Sequence, residues 1–123
     1  MNSMKNISIQ AHAGRDFYLL LGDFLEEYYA APPEKKTQML SEPPDNVSRR
    51  EGLPFLAATA HKLCNDDGIS PPAWVFDERC YLRDAPFFAC RAKGNLRLLF
   101  MYKSPIEFKH RNLFVDENAL VRV

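Results

Sequence analysis

Glycine is scarce, with five in 123 residues, and no glycine-rich loop of the kind that cradles phosphate can be placed anywhere in the chain. Cysteine is scarce as well. Cys64, Cys80 and Cys90 stand 16 and 10 positions apart, which fits no zinc pattern, and an odd number cannot all pair, so reduced intracellular thiols are the simpler reading. His12, His61 and His110 are far apart in sequence, none at ligand spacing from another histidine or a cysteine. Neither a metal nor a cofactor is expected. No apolar run exceeds five residues, as at Leu98 to Tyr102, which excludes a membrane-spanning helix. Met1 to Gly14 lacks the apolar core of a signal peptide, so a soluble, cytoplasmic protein is the expectation. Net charge is missing too: sixteen basic and sixteen acidic residues cancel, which argues against strong non-specific binding of nucleic acid. Adjacent acids such as Glu26-Glu27 and Asp66-Asp67 point apart on a helix, so they make no carboxylate pair for acid-base work. An enzyme is not expected; Cys90, beside Arg91 and Lys93, and His110 are the residues a small enzyme would have to use.

What is present is ordinary globular composition, 46% apolar and 26% charged, in a length that suits one core. The expected fold is mainly α: about five to six helices with irregular, proline-bearing connections and room for one short strand. Residues 1–13 show no strong period and read as a loose N-terminal tail, with residues 14–123 as a single helical domain. From Arg15 to Tyr29, Phe17, Leu20, Leu21, Phe24, Leu25 and Tyr28 recur at helical spacing, with Asp16, Asp23, Glu26 and Glu27 opposite them. Pro32-Pro33 stops that helix and Pro33 opens a shorter one through Leu40. A polar, proline-bearing loop covers residues 42–52, and a helix from Pro54 to Asn65 ends at Gly68, available for a left-handed cap. Trp74, Phe76, Tyr81, Phe87 and Phe88 make the middle of the chain look like core, arranged as helical turns, one of them over Pro86–Cys90. Asn95 can cap a helix running to Tyr102, with a buried strand as the competing reading of its five successive apolar residues, and Asp116 to Val121 resembles a last capped turn.

Charge is unevenly distributed along the chain. Asp16 to Glu34 contains five acidic residues and no basic one, whereas Arg91 to Arg111 contains six basic residues and the single acid Glu107. The densest local signal follows at Ser104 to Val115. Ser104-Pro105-Ile106-Glu107 satisfies the capping box, with Pro105 preset for the first helical position, and Ile106 and Phe108 would address the core. Lys109, Arg111 and Asn112, joined by Arg97 and Lys103, read either as complement to a helix dipole or as a recognition surface for an acidic partner. Trp74 and Phe114 are the candidate aromatic anchors of that surface. Phosphate of a nucleic acid is the alternative ligand, in which case the protein would be a regulator binding through its basic C-terminal half.

Leu53 to Leu63, Pro72-Ala73-Trp74-Val75, and Ser104-Pro105 with Phe108, Arg111-Asn112, Phe114-Val115 and the closing Ala119 to Arg122 together resemble a family of small bacterial proteins. Its C-terminal motif runs approximately Ser-Pro-x-x-Phe-Arg-Arg-Arg-Asn-Ile-Phe-Val, and the resemblance covers residues 17–123. Lys109 and His110 stand here where that motif has arginine, so a bidentate guanidinium is lost at both places. Members of the family are similar to proteins encoded beside a nucleotidyltransferase-like protein in operons of the toxin–antitoxin or defence kind. The resemblance therefore implies a non-enzymatic interaction module, an antitoxin-like or accessory partner of such a protein.

Overall fold

The computed structural model describes residues 2–89, 95–116 and 120. The chain is mainly helical, with six α-helices and one two-stranded sheet among these residues. No helix among them is long and apolar enough to cross a membrane. The residues group into two compact units, one within Met1–Leu53 and one within Pro54–Val121.

The first unit opens on a helix where the sequence suggested a loose tail. In α1 (Met4–His12) the Ser3 hydroxyl caps the N-terminus by accepting from the Asn6 N–H, and Met4, Ile7 and Ser8 are buried. Three inward positions and one cap are a weak signal in nine residues, and a helix so short depends on packing against a neighbour. That neighbour is α2 (Phe17–Ala30), against which α1 lies. The six residues that the period selects on α2, Phe17, Leu20, Leu21, Phe24, Leu25 and Tyr28, are the six it buries. Asp16 is its N-cap, its carboxylate accepting from the Leu19 N–H at 3.0 Å, rather than another member of the solvated face. After Pro32, α3 (Pro33–Ser41) contributes Met39 and Leu40 to the core. The following loop is tied down by polar contacts: the Ser8 hydroxyl accepts from the Asp45 N–H at 2.9 Å, and Lys5 pairs with Glu42 at 3.1 Å. A Cβ built on Gly52 would lie 2.6 Å from a Val47 methyl, so this close approach of loop and helix start requires glycine.

α4 (Gly52–Asp67) extends two residues beyond the expected helix at each end. Glu51 to Ala60 is buried at every position, not along one stripe, and the Thr59 hydroxyl inside it donates back to the Phe55 carbonyl at 2.8 Å. Gly68 closes the helix with φ 68°, and the Ile69 N–H donates to the Cys64 carbonyl at 2.8 Å. Two 3₁₀ turns follow, Ala73–Phe76 and Glu78–Cys80. The aromatic middle of the chain is not core: Phe76 is exposed, and Trp74, Tyr81, Phe87 and Phe88 are half-buried.

The sheet replaces an expected helical turn. β1 (Phe87–Phe88) pairs in parallel with β2 (Leu113–Phe114), Phe87 opposite Leu113 and Phe88 opposite Phe114. Parallel partners need a long crossover, supplied here by residues 89–112, which include α5 (Asn95–Lys103) and α6 (Ile106–Lys109). Phe108 on α6 is fully buried and meets Phe55 of α4 edge to face, ring centres 5.2 Å apart. Ile106, expected inside, is exposed. Asn112 turns the chain from α6 into β2 at φ 65°, a left-handed conformation that asparagine tolerates better than most residues. Of the capped turn expected over Asp116–Val121 only Asp116 and Leu120 are described, and Cys90 lies outside the described residues.

Candidate interaction surface

Ser104 does not cap a helix. Pro105 occupies the N-cap position of α6 with φ −55° and ψ 144°, which leaves Ser104 one residue too early to reach the first helical amides. The Ser104 hydroxyl instead donates to the Val115 carbonyl at 2.8 Å and accepts from the Val115 N–H at 2.9 Å. One side chain thereby closes both backbone groups of the residue after β2. Glu107, freed from the capping box, is buried and accepts from Asn65 Nδ2 of α4 at 2.9 Å.

Arg111 is the larger correction. It was expected on a recognition surface, yet it is 1% exposed and among the largest fully buried side chains of the protein. Its Nη1 donates to the Glu107 carbonyl at 2.9 Å and lies 3.2 Å from His61 Nδ1; its Nη2 donates to the Val75 carbonyl at 2.8 Å. The guanidinium also lies over the Tyr81 ring, 4.8 Å from its centre. One cation thus joins α4, α6, the Ala73–Phe76 turn and Tyr81. Its Nε is buried without a hydrogen-bond partner among the described residues. Burial pushes the Arg111 pKa down, against the opposing pull of Tyr81, Cys80 and Glu107. Arginine has only donors, so His61 Nδ1 must be an acceptor, which fixes the neutral imidazole with its proton on Nε2. Burial first, and then the charge of Arg111, hold the His61 pKa below its ordinary value.

The other expected contact residues divide. Arg97 on α5 is exposed, its guanidinium 4.0 Å from the centre of the Phe88 ring. Phe88 stacks in turn on Phe114 at 5.1 Å, so Phe114 is half-buried in an aromatic pair and is no projecting anchor. Trp74 is half-buried, and its carbonyl accepts from the Cys80 thiol at 3.4 Å. Lys103 is exposed; Lys109 is half-buried, donating to the Tyr102 carbonyl and lying over the Tyr102 ring. Asn112 is half-buried at its turn. Of the residues predicted to form one surface, Arg97 and Lys103 therefore share the outside of α5, with Lys109 attached through Tyr102.

Sequence pattern alone does not single out the apolar side of that same helix. Leu98 is 62% exposed and Tyr102 78%, with Leu99 and Met101 also exposed. Residues four apart on a helix are neighbours, so Leu98 and Tyr102 form a central row. Arg97 with Met101 and Leu99 with Lys103 flank it. An amphipathic helix turns such side chains inward; the five-residue apolar run at this place was the only available sign, and it did not say which way the run faces.

Comparison of the chain with protein-family models, with curated proteins and with solved structures gave no match.

Burial pushes the Cys80 thiol up to about 11, helped by Asp77, and burial followed by the charge of Asp67 raises Cys64, so both stay protonated near neutral pH. A cavity of about 380 Å3 in the first unit is lined by Ser8, Ile9, His12, Asp45 and Asn46, which places the residue types of a hydrolytic triad together. Ser8 is fully buried, however, and its hydroxyl is committed to the Lys5 carbonyl at 2.6 Å and the Asp45 N–H. Among the described residues no group of three His, Cys, Asp or Glu side chains is placed to hold a metal.

Proposed function

We propose that the protein is a non-enzymatic interaction module that docks a protein partner through the outer face of α5. The observation that carries this reading is the exposed row of Leu98 and Tyr102 between the cations Arg97 and Lys103. Apolar patches rimmed by charge are the usual mark of a protein-binding surface. The partner is the nucleotidyltransferase-like protein implied by the family resemblance, in a bacterial two-gene system of the cytoplasm where this chain acts as the antitoxin-like or accessory member. Tyr102 is the anchor best suited to a binding hot spot, since its large ring buries much area at low entropic cost. Nucleic-acid binding ranks second because burial of Arg111 removes the central cation of the proposed phosphate surface.

Co-purification with the product of the adjacent gene tests the reading. The pair should stay together at moderate salt, and the double variant Leu98→Ser, Tyr102→Ser should release it. Retention by that variant would overturn the reading. A mobility shift of nucleic acid, steep in salt and lost on Arg97→Ala with Lys103→Ala, would favour the alternative.

A further inference from the structure

α5 has a charge complement on the same chain. On α2, Leu19, Asp23 and Glu26 stand at positions i, i+4 and i+7, one stripe of the helix, and all three are exposed, Leu19 at 64%. Asp23 and Glu26 make no ion pair among the described residues. The stretch Asp16 to Glu34 around them contains no basic residue. α5 presents the opposite arrangement, an apolar row with Arg97 and Lys103 beside it and no acidic residue on the helix. The two faces match: each presents an exposed leucine, and the charged side chains beside them are of opposite sign.

We infer that α5 of one copy docks on α2 of a second copy of this chain. Leu19 inserts against Leu98 and Tyr102, while Asp23 and Glu26 face Arg97 and Lys103. The inference rests on these two faces and needs no particular foreign partner, so either reading can fail without the other. The contact joins two different surfaces, and each copy therefore keeps one unused face of each kind. Such heterologous contacts propagate into larger assemblies or close into rings. The four exposed side chains of α5 offer on the order of 400 Å2, well short of the roughly 800 Å2 per partner of a stable interface, so the association is weak and dependent on concentration. A foreign partner binding α5 would displace it.

Sedimentation of the purified full chain tests the inference. Average mass should rise with concentration at low salt and fall toward the monomer as salt is raised, because exposed charges are screened. The variant Arg97→Glu, Lys103→Glu and, separately, the variant Asp23→Lys, Glu26→Lys should each weaken association about tenfold or more. Mixed in equal amounts, the two variants bring intact face against intact face and reversed face against reversed face, opposite charges meeting in both. Each variant retains one intact face, so they should recover a complex with each other while neither associates alone. The milder pairs Arg97→Ser, Lys103→Ser and Asp23→Ser, Glu26→Ser repeat the test should a reversed charge disturb folding, with helicity and melting temperature as controls. Three results would overturn the inference: a monomer at every concentration, association that survives the α2 variants, or a mixture that stays monomeric.

Discussion

Two neighbouring stretches of the C-terminal half invert the usual arrangement of side chains in opposite ways. From Ser104 to Val115 three polar residues go inside: Ser104, Glu107 and Arg111 are buried, while Ile106 is exposed. From Asn95 to Lys103, one turn earlier, apolar residues go outside: Leu98, Leu99, Met101 and Tyr102 all face solvent. The first inversion is stable because the buried polar groups have partners. Ser104 closes both backbone groups of Val115, Glu107 holds Asn65, and Arg111 donates to two carbonyls. The second has no such compensation within the described contacts. Polar groups in a core are explained by the fold itself, whereas apolar groups on a helix surface call for something to cover them.

The largest effect should come from Arg111→Ala. It removes the donors of the Glu107 and Val75 carbonyls and opens a cavity between α4 and α6, at an expected cost of about 3–5 kcal/mol, read as a shift in the denaturation midpoint. Arg111→Lys should recover little of this, since an ammonium does not reproduce the fork that meets both carbonyls. If Arg111→Ala leaves the midpoint unchanged, the polar interior is not what holds this region.

Ser104→Ala should come next, at about 1–3 kcal/mol, because it strands the N–H and the carbonyl of Val115 in a buried position. The loss should appear as faster amide exchange at Val115 before it appears in global unfolding.

The pH response should be smaller and has a definite sign. The folded-state pKa of His61 lies below its ordinary 6.5. The unfolded chain therefore takes up a proton that the folded chain resists, and stability rises with pH across that interval. The stabilisation is complete above about pH 6.5 and is lost as pH falls through the lowered folded value. Glu107 pulls the His61 pKa up while His110 pushes it further down, so neither reverses the effect of burial and Arg111. Melting temperature recorded from pH 8 to about pH 5 checks the slope, and His61→Gln should flatten it.

The smallest effect belongs to the other stretch. Leu98→Ser should change stability by no more than about 0.5 kcal/mol, the range of ordinary surface substitutions, while reducing binding. A loss of several kcal/mol would mean that α5 is core after all, and the contrast between the two stretches would disappear.

Part of this was legible beforehand and part was not. The six buried positions of α2, the proline that opens α3 and the left-handed Gly68 follow from spacing and backbone chemistry that neighbours cannot easily override. α1 was missed because its nine residues carry few inward positions and depend on α2. Of the residues expected at a contact surface, Arg97 and Lys103 are exposed, whereas Arg111, Phe114 and Trp74 are drawn inward to varying degrees. A run of basic residues gives no sign of which cation will find carbonyls to bond.

The sequence by itself determined the helical class, the main helix of the first unit and the breaks at its prolines and at Gly68, because period, cap and ring closure act within a few residues. Only the tertiary structure decided the role of Ser104 to Val115. Its partners, Val75, His61, Asn65 and the β1 strand, come from positions 26 to 50 residues away, and a local motif carries no record of them. A stretch that could have been a recognition surface is in large part a fastening inside the fold, while the helix just before it carries the exposed apolar side chains Leu98, Leu99, Met101 and Tyr102.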